Sequence, residues 1–572
     1  MNIIIRSIRF IRQILPKKQK KKAVGISFLL LINSGLELIG LGAILPLFVL
    51  LLESNVVEKY EWAAWLYSSF ELTDERQLIV ILAIGFFVVI VLKNILSLWI
   101  LKIQSIFSYS LFKQFSLQIH ELYYKRGYSF FKNTNSNIIL RDVRTASERF
   151  AQSIVLGTLA FLNEILILVL IVAGIAIYNI EILGLLTITV FPSFFIFYRW
   201  VRKRSIELGE IKNKIEPIIG KNIFQSIFGQ VDVVISGAEN NFRRRIEDNL
   251  EELVEVNIKT YIYNLAPTRV IETSLMFAVA IIIAFGIYML PSKTELIKIL
   301  GLFVLAGYRI MPSINRMMIA INGLNQSIWV FEVLKPLVQN ELKITPISKK
   351  IEFKKQLELN SIDFSYPDSN EVVLNNFSLK IKRGEVIGLI GPSGGGKTTV
   401  MNILLGFLKP TSGFYKIDET ILSEEYYEDF YKKVGYVQQQ VYLLDGSLAE
   451  NIAFGYDAKY INYEKLEFVL KQASLWEMVN GLPKGVYSMI GENGAKLSGG
   501  QRQRVGIARA LYSDVEILFL DEATSSLDDA TEMEITESIN KLSDGNLTIV
   551  VIAHRLSTLD GCNRIIKIEG KI

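Results

Sequence analysis

Six long apolar stretches crowd into the first 335 residues, near 23–52, 77–104, 153–178, 182–200, 271–290 and 297–320. A helix crosses the hydrocarbon core of a bilayer with about 20 apolar residues. Inside that core no water is present to satisfy an unpaired backbone group, which restricts a spanning segment to a helix or a closed barrel. The stretches therefore predict six transmembrane helices. A hydrophobic share of 51% over the whole chain fits a membrane protein.

Charge orients the spans. The net charge is +5, but it is unevenly placed. Residues 1–22 carry Arg6, Arg9, Arg12, Lys17, Lys18, Lys20, Lys21 and Lys22 and no acid. A basic segment just before an apolar run marks a cytoplasmic anchor and suits anionic headgroups, so no nucleic-acid partner is expected. The first long apolar run is too long for a signal-peptide core, and more spans follow. Alternation from a cytoplasmic start leaves acidic 53–76 outside, while the loops 105–152 and 201–270 lie inside, the second opening on Arg202, Lys203 and Arg204. Loops of this length are rare in irregular form. They read as helical hairpins that extend the spans, with tips near Phe130–Asn137 and Pro217–Gln225. The expected domains are 1–335 in the membrane, a linker at 336–350 and a soluble α/β domain at 351–572. The topology this implies places the soluble domain on the cytoplasmic side of the membrane.

In the second domain the apolar run Val386–Ile390 reads as a buried strand. It is followed by Gly391-Pro392-Ser393-Gly394-Gly395-Gly396-Lys397-Thr398 and a helix-like stretch. This strand, loop and helix is the P-loop context. Glycines let backbone N–H groups approach phosphate oxygens, and the helix N-terminus adds partial positive charge. Lys397 would contact the β- and γ-phosphates of ATP, and the Thr398 hydroxyl would bind Mg²⁺. Downstream, Val515–Leu520 reads as a second buried parallel strand. It ends in Asp521, a Mg²⁺ ligand, and Glu522, the group that orients or deprotonates the attacking water. The plainer reading of that acidic pair is a helix cap. Cys562 is the only cysteine, and the only histidines are His120 and His554, so a protein-built soft-metal site has little to work with.

Leu497-Ser498-Gly499-Gly500-Gln501 resembles the signature motif of ATP-binding cassette proteins. Asp521–Asp528 is similar to that family's second phosphate motif and the loop after it, and Ile552–Ser557 to its switch segment. The resemblance implies that His554 senses the γ-phosphate and that Gln439 is a ligand to Mg²⁺ and water. Gln438 stands where that family commonly has Pro, and Gln440 follows. Tyr366 resembles the aromatic residue that stacks on adenine; a core tyrosine is the alternative. Thr399 joins the P-loop set. Ser498, Gly499, Gly500 and Gln501 would meet nucleotide held by a partner chain. One P-loop and one signature per chain imply a homodimer with two hydrolytic sites. The whole resembles an exporter of this family: a six-helix transmembrane domain with long cytoplasmic extensions, then an α/β P-loop nucleotide-binding domain.

Glu37, Lys93, Glu164, Arg269, Glu272, Arg309 and Arg316 fall in or near apolar runs. Charge there is costly and usually faces a wet cavity. Lys93, Arg269, Arg309 and Arg316 would form a cationic cavity for a phosphate-bearing substrate; snorkelling or pairing with the acids is the alternative. The stretches Val304–Arg316 and Glu37–Phe48 resemble helix segments of bacterial flippases of lipid-linked oligosaccharides. Arg309 matches a basic position of those proteins, Lys93 stands where an Arg occurs, and Arg269 is one residue out of register. The resemblance implies ATP-driven flipping of a polyprenyl-pyrophosphate oligosaccharide. A general exporter of lipids, drugs or peptides is the other reading.

Overall fold

The computed structural model describes residues 2–43, 46–47, 50, 56–72, 74–178, 180–289, 293–339, 348–366, 371–523, 532–533, 537, 547–553, 559 and 561–568. They divide into two compact units. One comprises Met1–Arg126 and Phe130–Lys343, the other Gly127–Ser129 and Ile344–Ile572.

The first unit is helical. A short helix, Asn2–Ile14, precedes Lys17–Gly42. Glu75–Lys125, Ile180–Phe228 and Glu239–Met289 run 51, 49 and 51 residues. At 1.5 Å per residue each is about 75 Å long, more than twice a bilayer core of about 30 Å. Gly157–Tyr178 and Lys293–Gln326 complete the set. Every apolar run thus lies wholly or largely in one of these helices. Among the described residues, four helices are long and apolar enough to cross a membrane, or five if the pair Gly307–Gln326 and Val330–Val338, bent by 70°, counts as one. Phe28, Phe87, Ile177 and Ile188 stay exposed, as side chains in lipid contact would.

Two expectations shift. The first hairpin turns at Gly127–Asn133 and Thr134. The second does not turn at Pro217–Gln225: the helix continues through Pro217 to Phe228 and breaks at Gly229–Ala238. A proline removes one backbone hydrogen bond without ending a long packed helix, whereas Gly237, at φ +62°, takes a left-handed turn that other residues resist. The linker also starts later, because Lys335 and Pro336 lie within the Val330–Val338 helix. Part of it, 340–347, lies outside the described residues. Two stretches of the helical run 136–178, Arg141–Ala146 and Phe150–Leu156, are wound as π-helix. No sequence pattern announced them.

The second unit has two sheets. One is antiparallel, in the order β2 (Val372–Lys382), β1 (Gln356–Ser365), β4 (Ser412–Ile417), β5 (Thr420–Ile421). The other is parallel, in the order β6 (Val434–Val437), β7 (Ile517–Asp521), β8 (Thr548–Ile552), β3 (Val386–Ile390), β9 (Arg564–Lys567). The inner strands are apolar on both faces because each face has a core. Leu518, Leu520, Ile549 and Val551 pack into one; Ile517, Phe519, Val550 and Ile552 pack into the other.

Candidate functional site

Ligands of parallel sheets sit beyond the carboxyl ends of the strands, and the register brings the motifs there. Leu389 of β3 and Asp521 of β7 both stand opposite Ile552 of β8, while Val437 of β6 stands opposite Leu520. One edge of the sheet therefore carries the P-loop, the acidic pair and the glutamine run.

The loop Gly391–Gly396 leads from β3 into the helix Lys397–Leu404. Glycine is required at two points. A Cβ on Gly391 would lie 2.4 Å from the Ile568 carbonyl oxygen, and Gly396 sits at φ +95° as the cap of the helix. Lys397 is buried, and its Nζ donates to the carbonyl oxygens of Gly391 (2.8 Å) and Pro392 (3.0 Å). The ammonium thus lies over its own loop. Pro392, Ser393, Gly394 and Thr398 are exposed, and Gly395 is buried. Buried Thr399 shares a hydrogen bond of 3.2 Å with the Tyr366 hydroxyl. Tyr366 packs edge-on against Phe364, with ring centroids 5.0 Å apart, so its ring is anchored on one side by the core.

Asp521 closes β7, and Glu522 follows at φ +50° with its N–H donating to the Ile552 carbonyl. A non-glycine residue in that conformation is uncommon. Here the bond to β8 fixes it and sets the two carboxylates on different headings. Gln439 Nε2 donates to Glu522 Oε2 at 2.7 Å, which singles it out from the run Gln438–Gln440. Burial and the adjacent Glu522 charge raise the Asp521 carboxyl above its usual range, against the opposing pull of the Tyr436 hydroxyl and Lys397. Two residues absent from the sequence-derived set also reach the pair. Tyr436 Oη approaches Asp521 Oδ2 at 3.4 Å, and Gln503 Nε2 lies 3.5 Å from the Glu522 carbonyl. Tyr436 carried a signal, as the aromatic residue opening the glutamine segment.

The donor set suits Mg²⁺. Thr398, Gln439 and Asp521 offer oxygen atoms, as a hard cation demands, and the Asp521 and Glu522 carboxylates are neighbours in the chain. Among the described residues no three His, Cys, Asp or Glu converge on one point. The ion would complete its shell with phosphate and water, which is its habit.

Ser498 caps the helix Gly499–Tyr512. Its hydroxyl accepts from the Gln501 N–H, and the Gln501 side chain accepts from the Ser498 N–H. This reciprocal box holds Ser498, Gly499, Gly500 and Gln501 rigid at a helix start. His554 lies outside the described residues. Cys562 is half-buried, and burial pushes its thiol up to about 11, so it is no nucleophile at neutral pH.

In the first unit each of the four expected cavity cations has an acid beside it. Lys93 Nζ lies 3.0 Å and Arg309 Nη2 2.8 Å from the same oxygen, Glu37 Oε2. Arg316 holds buried Glu164 with two bonds, 2.6 and 3.1 Å. Arg269 pairs with Glu272 one turn on at 2.9 Å, and its side chain is 81% exposed. Each of the four is thus paired with an acid, the alternative to unpaired cavity cations, because a charge in an apolar span is stabilised by a partner. Among the described residues one excess persists: two cations share Glu37, and Arg309 Nε is buried without a hydrogen-bond acceptor.

Fold and site together define a membrane protein that carries a P-loop nucleotide-binding domain after its helical part. The profile of the family described as ABC transporter matches residues 374–525. An ATP-dependent lipid A-core flippase of Desulfotalea psychrophila is 30% identical over 478 residues, 81% of each chain. The flippases of the same description from Ralstonia nicotianae and Cupriavidus metallidurans are 34% and 42% identical, over 52% and 37% of this chain. The chain spans 51% and 36% of those two relatives' own lengths. The structure of a bacterial Atm1-family ABC exporter with ATP bound superposes with a TM-score of 0.77 at 19% identity, over 96% of this chain and 93% of that one; the likeness is one of fold. The chain belongs to the ABC transporter family and shares the fold of that exporter.

Proposed function

We propose that two copies of this chain, in the cytoplasmic membrane of a bacterium, use ATP hydrolysis to move a phosphate-bearing lipid conjugate between leaflets. The observation that carries the ATPase reading is the grouping of Gln439, Asp521 and Glu522 at one sheet edge with the P-loop. Backbone N–H groups of the loop Gly394–Thr398 would cradle the phosphates, and Lys397 would leave its two loop carbonyls for the β- and γ-oxygens. Thr398, Asp521 and Gln439 would hold Mg²⁺, which neutralises phosphate charge when bound. Glu522 orients a water and takes its proton as the water oxygen bonds to the γ-phosphorus. The bond from that phosphorus to the bridging oxygen breaks, leaving ADP and phosphate. Tyr366 would flank the adenine, His554 would contact the γ-phosphate, and Ser498–Gln501 of one copy would face nucleotide on the other.

For the substrate, the cation excess at Glu37 supports an anionic group, and a polyprenyl-pyrophosphate oligosaccharide satisfies it. A lipid A-type glycolipid carries the same phosphate chemistry and is favoured by the names of the relatives. In proteoliposomes, ATP-dependent translocation of a fluorescent polyprenyl-pyrophosphate glycan is expected to fall about tenfold in Arg309→Ala, the worth of one charge-assisted contact. ATPase activity would persist. Translocation indifferent to Arg309 would remove the anionic-substrate argument. Transport of a phosphorylated lipid A conjugate but not the polyprenyl one would select the second substrate.

A further inference from the structure

The helix Asn2–Ile14 buries one face and exposes the other. Ile3, Ile4, Ile14 and Leu15 are buried, and Phe10 packs on Phe150 and Phe331, all in one apolar cluster of the first unit. Ile5, Ile8, Arg9 and Arg12 stand on the exposed side. Arg6 has an acidic neighbour, Glu332 at 3.7 Å. Arg9, Arg12 and the five lysines between Lys17 and Lys22 have none among the described residues, and the first acid in the chain is Glu37. Seven exposed cations so close together repel one another and need a counter-charge.

Their place on the chain says what supplies it. The exposed apolar face of the Lys17–Gly42 helix begins at Val24, 71% exposed, and continues through Phe28 and Leu31. Lys22 is two residues before Val24, about 3 Å along the axis, and Lys17 about 10 Å before it. The headgroup layer on each side of a bilayer core is about 5–8 Å thick. Once Val24 to Leu31 are in lipid, the lysines stand at headgroup depth, with Ile5 and Ile8 beside the cations as on an interfacial helix. A soluble polyanion would match the charge but not the apolar flank.

We propose that this N-terminal collar is a binding surface for anionic phospholipids of the surrounding membrane, phosphatidylglycerol-like headgroups in particular. It rests on the membrane reading of the chain and is independent of the transported substrate. Because the collar helix packs on Phe331 and Leu334, lipid held there bears on the helix Val330–Val338.

The test uses the full chain in membranes of equal phosphatidylglycerol and phosphatidylcholine. After mild detergent extraction, the two lipids that stay with the protein are counted. Wild type should retain phosphatidylglycerol over phosphatidylcholine by about threefold or more at low salt, falling towards parity in about 1 M NaCl. Glutamine at Arg9, Arg12 and the five lysines should bring the ratio near parity. Arginine at the lysines should keep it, as should Arg309→Ala, which separates this surface from the substrate site. Removing charge can also invert a membrane protein, and the wild-type salt series needs no variant. Parity in wild type, enrichment that survives neutralisation or high salt, or a variant that changes only self-association would overturn the proposal.

Discussion

Asp521 and Glu522 are neighbours in sequence, yet the left-handed backbone at Glu522 sends one carboxylate into a half-buried setting and the other to Gln439. Burial and the Glu522 charge raise the Asp521 carboxyl, so the folded, ligand-free protein binds this proton more tightly than the unfolded chain does. Such a group costs stability above its folded pKa. The cost disappears as pH falls from there towards the unfolded value of about 4. Asp521→Asn should therefore raise the melting midpoint of the nucleotide-free protein at pH 7 by a few degrees while abolishing Mg²⁺-dependent hydrolysis. An unchanged or lower midpoint in differential scanning fluorimetry would contradict this. Glu522→Gln keeps the shape and removes the base, and ATP turnover should fall 100-fold or more with nucleotide binding retained. Much of this site was legible in the sequence, because phosphate chemistry ties glycine, lysine and acid to fixed spacings. Among Gln438, Gln439 and Gln440 the sequence points to Gln439 only through the family resemblance, since a loop's side-chain headings depend on its backbone; the structure adds its bond to Glu522. The shared use of Glu37 by Lys93 and Arg309 was hidden, as it joins residues far apart in the chain.

At the scale of elements, the long helices depend on close approach. A Cβ on Gly209 would stand 2.5 Å from the Gln326 Cα and carbonyl oxygen, so the helices Ile180–Phe228 and Lys293–Gln326 meet backbone to backbone there. Gly209→Ala should force them apart at a cost of about 1–3 kcal/mol, the range for overpacking. A thermal unfolding midpoint equal to wild type would show that the contact yields freely. Hydropathy marked each long helix of this unit, because an apolar span has one stable form in lipid. It did not mark where the second hairpin turns. Pro217 looked like the breaker, but packing carries the helix past it to Gly229. The π-helical stretches Arg141–Ala146 and Phe150–Leu156 had no signature either. In the first of them buried Asp142 accepts from the hydroxyl of Tyr123, well apart from it in the chain, at 2.7 Å and from Arg141 Nε at 2.8 Å.

For the whole molecule, one chain supplies one P-loop and one capped signature helix. In the proposed dimer each ATP is enclosed by the P-loop of one copy and the signature of the other. Lys397→Ala removes the first part and Ser498→Arg blocks the second, so either variant alone should be inert. In a dimer purified through different tags on the two variants, one composite site joins the intact P-loop of the Ser498→Arg chain to the intact signature of the Lys397→Ala chain. The most direct measurement is the ATP turnover of that mixed dimer. Turnover should return, to about half the wild-type rate per dimer at most; a mixed dimer as inert as its parents would rule out ATP sites shared between two copies.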